Sequence, residues 1–373
     1  MKKIIASLVA IAALSSAAFA EVKLSFYNKL YEDDAIAYHS DAADETTTDF
    51  PALKERMFVE VLSDKVDAMV KATFALDDFD EKHFGLQGSV NDWYIEFRPF
   101  EVLTLGLHTG IFADGSYLPV FDDNIGAGNI GSDGFTVTVR PVKGLRISAT
   151  ADFTFDGDPA GVNWLNGKKD AGEDEEFNIG IGAIYAHDLF EVGLSIQDAI
   201  DSDDRQIGFY AAFPKLFGKV EPLTLRLGFA YADNGKAVDD LIGHSFAGTL
   251  TSVNNVCAGG VDYEKLFNFS AVYEAEKFTV AAEMLYNLDD AASDYDLYSA
   301  ASLSLGMVEK LTITATGKIL ADLSSSGAEN LLGAGLAFDY DVNDNHTVGA
   351  AFEMDQCDKD YAIAVPVYWK YHF

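Results

Sequence analysis

The sequence predicts an all-β chain that crosses a membrane as an antiparallel up-and-down β-barrel of about eighteen strands, with sixteen as the alternative count. Three observations carry this. The last thirteen residues alternate strictly, with Tyr361, Ile363, Val365, Val367, Trp369, Tyr371 and Phe373 on one face and Ala362, Ala364, Lys370 and His372 on the other. A two-residue period is a strand with two unlike faces. The same period recurs along the chain, and the connections between the repeats alternate between short and long.

The clearest interior repeat is Leu145 to Phe155, where Leu145, Ile147, Ala149, Ala151, Phe153 and Phe155 oppose Arg146, Ser148, Thr150, Asp152 and Thr154. Leu223 to Tyr231 and Leu311 to Ile319 repeat the pattern, with Thr224 and Arg226, and with Thr312, Thr314, Thr316 and Lys318, on the polar side. Strands are expected at 21–31, 52–62, 66–77, 85–98, 103–112, 135–142, 145–155, 177–187, 189–199, 206–214, 223–233, 266–275, 278–288, 297–308, 311–321, 331–341, 346–356 and 361–373. Each is about ten residues, the length of a tilted membrane-crossing strand. Turns after even-numbered strands are short (63–65, 143–144, 187–188, 276–277, 343–345). Connections after odd-numbered strands are often long and acidic (32–51, 113–134, 156–176, 234–265). A soluble sandwich has no reason to gather its long loops at one end, whereas a membrane barrel has short turns on one side and long loops on the other.

The amino terminus fits export. Lys2 and Lys3 precede an apolar run from Ile4 to Leu14 that ends at Ala18-Phe19-Ala20. Residues 1–20 therefore form a signal peptide with an Ala-x-Ala cleavage site, and residues 21–373 a single barrel domain. No later run of about eighteen apolar residues offers a helical span.

The net charge of the 373 residues is −34. Without the signal it is −36, from 24 basic against 60 acidic residues. Non-specific nucleic-acid binding, which needs Lys and Arg to replace counterions, is excluded. Sorting by face assigns Lys23, Lys29, Arg56, Lys71, Arg98, Arg140, Arg146, Arg226, Lys318 and Lys370 to the interior, with Glu60, Asp67, Glu96, Asp152, Glu191, Glu274, Glu283, Asp339 and Glu353. These nearly balance. The excess acid lies in connections such as Asp77-Asp78-Phe79-Asp80-Glu81, Glu173-Asp174-Glu175-Glu176 and Asp201-Ser202-Asp203-Asp204. A crown of acids at a pore mouth concentrates cations.

Several literal motifs carry no chemistry. Gly126-x-Gly128-x-x-Gly131 lacks the strand–turn–helix setting of a dinucleotide site. Asp198, Asp201, Asp203 and Asp204 could gather a divalent ion, but no loop has calcium-loop spacing. His108 and Ser195 both face inward without a spacing that demands a triad. Cys257 and Cys357 stand far apart, and a disulfide would require the loop before the twelfth strand to reach across five strands. No cofactor, metal site or enzymatic activity is expected.

The carboxy terminus, with Phe373, Tyr371, Trp369 and Val367 at every second place, resembles the assembly signal of bacterial outer-membrane proteins. The resemblance implies an outer-membrane location and recognition of Phe373 by the barrel-assembly machinery. Residues 113–134, rich in glycine and carrying Asp114, Asp122, Asp123 and Asp133, look like the third outer loop of general diffusion porins. In that family the loop folds inward and its acids face basic residues on early strands; here Lys23, Lys29, Arg56, Arg98 and Arg140 are the matching bases. Arg98 and Arg140 fall low on their strands, a departure from the pattern. The resemblance further implies a homotrimer; the polar interior implies passive diffusion of ions and small hydrophilic solutes, and the acidic connections a preference for cations. The alternatives are a sugar- or peptide-specific channel lined by Tyr27, Tyr94 and Tyr210, and a surface adhesin or structural barrel.

Overall fold

The computed structural model describes residues 21–32, 37–39, 45–47, 52–63, 65–80, 83–107, 135–155, 175–197, 199–200, 205–214, 223–238, 261–289, 295–323, 330–357 and 360–372. Among these, eighteen strands run antiparallel in one sheet. They are β1 (Glu21–Glu32), β2 (Ala52–Leu62), β3 (Val66–Asp80), β4 (His83–Phe100), β5 (Leu103–Leu107), β6 (Phe135–Val142), β7 (Leu145–Phe155), β8 (Glu175–Ala186) and β9 (Glu191–Gln197). The second half comprises β10 (Gln206–Phe213), β11 (Leu223–Val238), β12 (Val261–Glu274), β13 (Phe278–Asn287), β14 (Leu297–Val308), β15 (Leu311–Ala321), β16 (Leu331–Asn343) and β17 (His346–Cys357). The last strand, β18, has two parts, Asp360–Ala364 and Val367–His372.

Every strand pairs with its sequence neighbours, and the last returns to the first: Leu30 lies opposite Trp369 and Lys29 opposite Lys370. Satisfying both edges of every strand is what allows a sheet to stand in hydrocarbon.

The strand expectations agree, with three differences. The β11–β12 hairpin is longer than the sequence suggests, running to Val238 opposite Val261 through a register shift after Tyr231. Polar residues in that extension hid its two-residue period. β18 is interrupted at Val365 and Pro366, because proline has no N–H for the ladder; Pro366 instead accepts from the Ala351 N–H at 2.9 Å. The first outer connection, expected to be loop throughout, contains two short strands, Ala37–His39 and Glu45–Thr47, that pair with each other and with the upper part of β18.

Burial is inverted relative to a soluble protein. Leu227 and Phe229 are 39% and 37% exposed, whereas Thr314 and Ser148 are 1% and 2% exposed. Phe97, Val139, Ile147, Ile181, Leu194, Phe209, Leu303, Leu336, Phe352 and Val367 join the exposed apolar face. So extensive an apolar exterior is a lipid-facing band, not a water-facing surface. Were the chain a sandwich, Leu227 and Phe229 would be buried between its sheets.

At the short-turn end the apolar band finishes in aromatic pairs. Tyr185 and His187 pack on Phe190 with ring centroids 6.1 and 5.2 Å apart, Tyr273 on Phe278 at 5.9 Å, and His346 on Trp369 at 5.5 Å. Aromatic rings with one polar edge settle at the boundary between hydrocarbon and water. The turns themselves are tight. Gly144 adopts φ +84°, and a Cβ there would lie 2.3 Å from the Ala186 carbonyl oxygen, so only glycine fits.

Candidate pore-lining site

The inner face is built from the residues that the two-residue period turns away from lipid. On β6–β7 it is a hydroxyl ladder: Thr138 bonds Ser148 at 2.8 Å, and Thr136 bonds Thr150. On β14–β15 Ser304 bonds Thr314 at 2.9 Å. Each pair satisfies two hydroxyls across one strand gap.

Charge is arranged in three groups. Near the short-turn end of β3 and β4, Arg98 binds Glu96 at 2.7 Å and Asp67 at 3.2 Å, while the Tyr94 hydroxyl donates to Asp67 at 3.4 Å. Arg98 is thus neutralised by its own neighbours. Beside it, Arg140 on β6 donates to Thr104 Oγ1 at 2.5 Å. Arg140 and Arg146 line a cavity of about 650 Å3, with Glu101, Lys143, Ile184 and Glu191 among the other walls. Glu191 accepts from the Tyr210 hydroxyl at 2.5 Å.

The second group lies on β11–β17. Following the pairing register, Arg226 lies opposite Ser270, Ser270 opposite Glu283, Glu283 opposite Ala300, Ala300 opposite Lys318, Lys318 opposite Gly333, and Gly333 opposite Asp355. One row of the wall therefore alternates positive and negative charge, with small residues between. The Tyr298 hydroxyl donates to Glu283 at 3.0 Å. The third group closes the wall at β16–β18, where Tyr368 donates to Asp339 at 2.8 Å. Lys370 stands 3.9 Å from the same carboxylate and 4.4 Å from the Tyr368 ring centre.

Of the expected lumen-lining residues, Glu96, Arg98, Arg140, Arg146, Arg226, Glu283 and Lys318 stand on this inner face. Lys23, Glu60, Lys29, Arg56, Lys71 and Asp152 occupy their strands, with Lys23 opposite Glu60, Arg56 opposite Thr73, Lys71 opposite Asp92 and Asp152 opposite Asn178. The side chains of Lys23, Lys29, Arg56, Lys71 and Asp152 lie outside the described residues, as do that of Tyr27 and the residues Asp114, Asp122, Asp123, His108, Asp198, Asp201, Asp203, Asp204 and Cys257. Ser195 is buried on the inner face of β9, opposite Gly208. Among the described residues no group of His, Cys, Asp and Glu has metal-binding geometry.

Sequence reasoning passed over Asn268, Ser270, Tyr298, Asp355 and Tyr368 as members of this wall. Parity would have assigned each to the inner face. Their grouping needed the register.

No protein-family model and no curated protein sequence matches the chain. Solved structures do. The chain is similar to Pseudomonas aeruginosa OccK2 (OpdF), solved in complex with glucuronate, at 11% identity and a TM-score of 0.58, over 95% of this chain and 98% of that one. It is similar to Acinetobacter baumannii OccAB4 at 8% identity and a TM-score of 0.57, with the same coverage. It is also similar to the outer membrane protein OpdK of Pseudomonas aeruginosa, at 11% identity and a TM-score of 0.55, over 95% and 99% of the two chains. With strand number, inverted burial and these likenesses together, the chain has the fold of the outer-membrane porins, an up-and-down β-barrel that meets lipid outside and carries its polar groups within.

Proposed function

We propose that this protein stands in the bacterial outer membrane as a water-filled channel for passive diffusion of ions and small hydrophilic solutes. The carrying observation is the wall itself: a lipid-facing apolar exterior around an interior of hydroxyls and paired charges. Such an interior offers water and polar solutes what hydrocarbon denies them. The protein then catalyses no reaction and needs no cofactor.

Cations are preferred in this reading. Sorting the sequence by face gives ten inward bases against nine inward acids, so most of the −36 of residues 21–373 falls to the connections. Acids there focus a negative potential at the mouth. The loop 113–134 folding inward, with Asp114, Asp122 and Asp123 opposing Lys23, Lys29, Arg56 and the other early-strand bases, would add a transverse field. The reversal potential across a salt gradient tests the preference. A potential of the anion-selective sign refutes it. Assembly through Phe373 and a homotrimer complete the proposal. Truncation of Phe373 tests the first, and the mass of the detergent-extracted protein tests the second.

One observation favours a second reading, a channel specific for organic acids. Arg140 and Arg146 share the 650 Å3 cavity at the short-turn end. Guanidinium groups grip carboxylates through paired N–H donors. OccK2 was solved with glucuronate and OpdK with vanillate, both organic acids. Saturable block of the current by glucuronate would separate this reading from the first.

A further inference from the structure

On the outward face of β1 and β2 two polar residues interrupt the apolar exterior. Leu30 lies opposite Trp369, which stands exposed on the lipid side. The two-residue period places Asn28 on the same face as Leu30. Glu55 is the direct cross-strand partner of Asn28, and Phe74 on β3 is the partner of Glu55. The inner face of β3 gives the same answer: Asp67, held by Arg98, looks inward, so Phe74 and the residue opposite it hold outward positions.

Around the pair the outward positions are apolar. Toward the short turns stand Leu24 and Phe26 on β1 and Met57 and Val59 on β2, and above the pair Leu30 and Leu53. Glu55 is seven residues from Leu62, the short-turn end of β2, which is roughly 23 Å along a strand rising about 3.3 Å per residue. In a strand tilted by about 40° this lies within an apolar band about 25 Å tall. Elsewhere the middle of the exterior is occupied by Leu227 and Phe229 on β11, Leu303 on β14, Leu336 and Phe338 on β16 and Phe352 on β17, all exposed. Ionisable residues at membrane depth turn to protein or water and pair with a polar group.

The same region is low in relief. Val59 and Ala68 hold outward positions on β2 and β3, yet they are only 8% and 3% exposed, and Ala68 packs against Val70 and Ile95. Small and recessed side chains let two backbones approach closely in a membrane.

Within the reading of this protein as a homotrimeric outer-membrane barrel, on which the inference rests, we propose that the outward face of β1–β3 around Asn28 and Glu55 is the contact surface for a second copy of this chain. The chemistry of the pair selects the occupant. An asparagine amide has two N–H donors and an acceptor oxygen, and a glutamate carboxylate has acceptors alone. A patch that holds both complements itself: the amide of one copy donates to the carboxylate of the next, and the apolar positions around them pack together. Hydrogen bonds to an ionised acceptor are the strong ones. Acyl chains offer the carboxylate no donor at all.

The test uses the full-length barrel carrying Cys257→Ser and Cys357→Ser, with one cysteine introduced by Glu55→Cys on the patch or by Leu227→Cys on the opposite side of the barrel. Outer membranes bearing each protein are treated with a short bis-maleimide before denaturing electrophoresis. Resistance to detergent at room temperature certifies each variant as folded. Glu55→Cys is expected to give a covalent dimer and Leu227→Cys a monomer. Linkage at 227 alone, at both positions, or at neither in a protein whose detergent-extracted mass is trimeric, overturns the surface while leaving the oligomer intact. A monomeric mass overturns the homotrimer and the surface together and leaves the channel standing. The combined variant Asn28→Leu with Glu55→Leu gives an independent readout. Its oligomer is expected to dissociate about tenfold more readily on dilution in detergent, as the loss of a hydrogen bond to a charged acceptor dictates. An oligomer of unchanged strength, in a barrel made more resistant to denaturant, would mean that Glu55 had faced lipid, and would overturn the inference.

Discussion

Tyr368 lays its ring directly over Gly349, its cross-strand partner, so closely that a Cβ on the glycine would lie 2.2 Å from the ring. From there its hydroxyl crosses β17 to Asp339 on β16 at 2.8 Å. The same device occurs on the opposite part of the wall. Tyr210 covers Gly193, where a Cβ would lie 2.0 Å from its ring, and donates to Glu191. In each pair a glycine is filled by the ring facing it, and the phenol is satisfied by a carboxylate. Such pairing pins register and restores the packing that glycine omits.

Gly349→Ala should therefore destabilise the barrel by about 1–3 kcal/mol, the range for overpacking a filled site. Tyr368→Phe should cost about 1.5–3 kcal/mol through loss of a hydrogen bond to a charged acceptor. Denaturant-induced unfolding in lipid vesicles measures both. If Gly349→Ala matches wild type, Tyr368 has room to swing aside and the pair does not pin register.

Leu227 and Phe229 face lipid on β11, and Arg226, next to Leu227, faces inward. Leu227→Arg should destabilise by about 2–4 kcal/mol near the middle of the bilayer. Arg226→Leu acts on the other face and should alter conductance. Equal effects of the two changes on vesicle unfolding and on current would contradict the assignment of faces.

Ion preference should follow the outer acids. Asp122→Asn combined with Asp123→Asn is expected to lower the cation-to-anion permeability ratio, read as a reversal potential closer to zero. The difference should shrink in molar salt, where screening acts within about 3 Å. A double variant with wild-type selectivity would remove 113–134 from the constriction.

Arg140→Gln separates the two channel readings. Under the organic-acid reading, glucuronate block weakens about tenfold or more, because a charged hydrogen bond contributes roughly 1.5–3 kcal/mol. Under the general-pore reading glucuronate produces no saturable block in either protein, and Arg140→Gln only shifts ion preference toward cations.

Much of the molecule is legible before any coordinates. Alternation from Leu145 to Phe155 and from Tyr361 to Phe373 assigns each side chain to lipid or lumen, because a strand has only two faces and the membrane tolerates apolar groups on one of them. Turn length assigns the two ends. Strand number, the exterior and the inner positions of Arg98, Arg140, Arg226, Glu283 and Lys318 all follow from that local rule. Parity is silent about which inner residues become neighbours. Only the pairing register placed Ser270 between Arg226 and Glu283, set Tyr368 over Gly349, and gathered Arg140 and Arg146 at one cavity. Those relations depend on hydrogen bonds between segments distant in sequence, and a slip of two residues would keep every face while changing every neighbour.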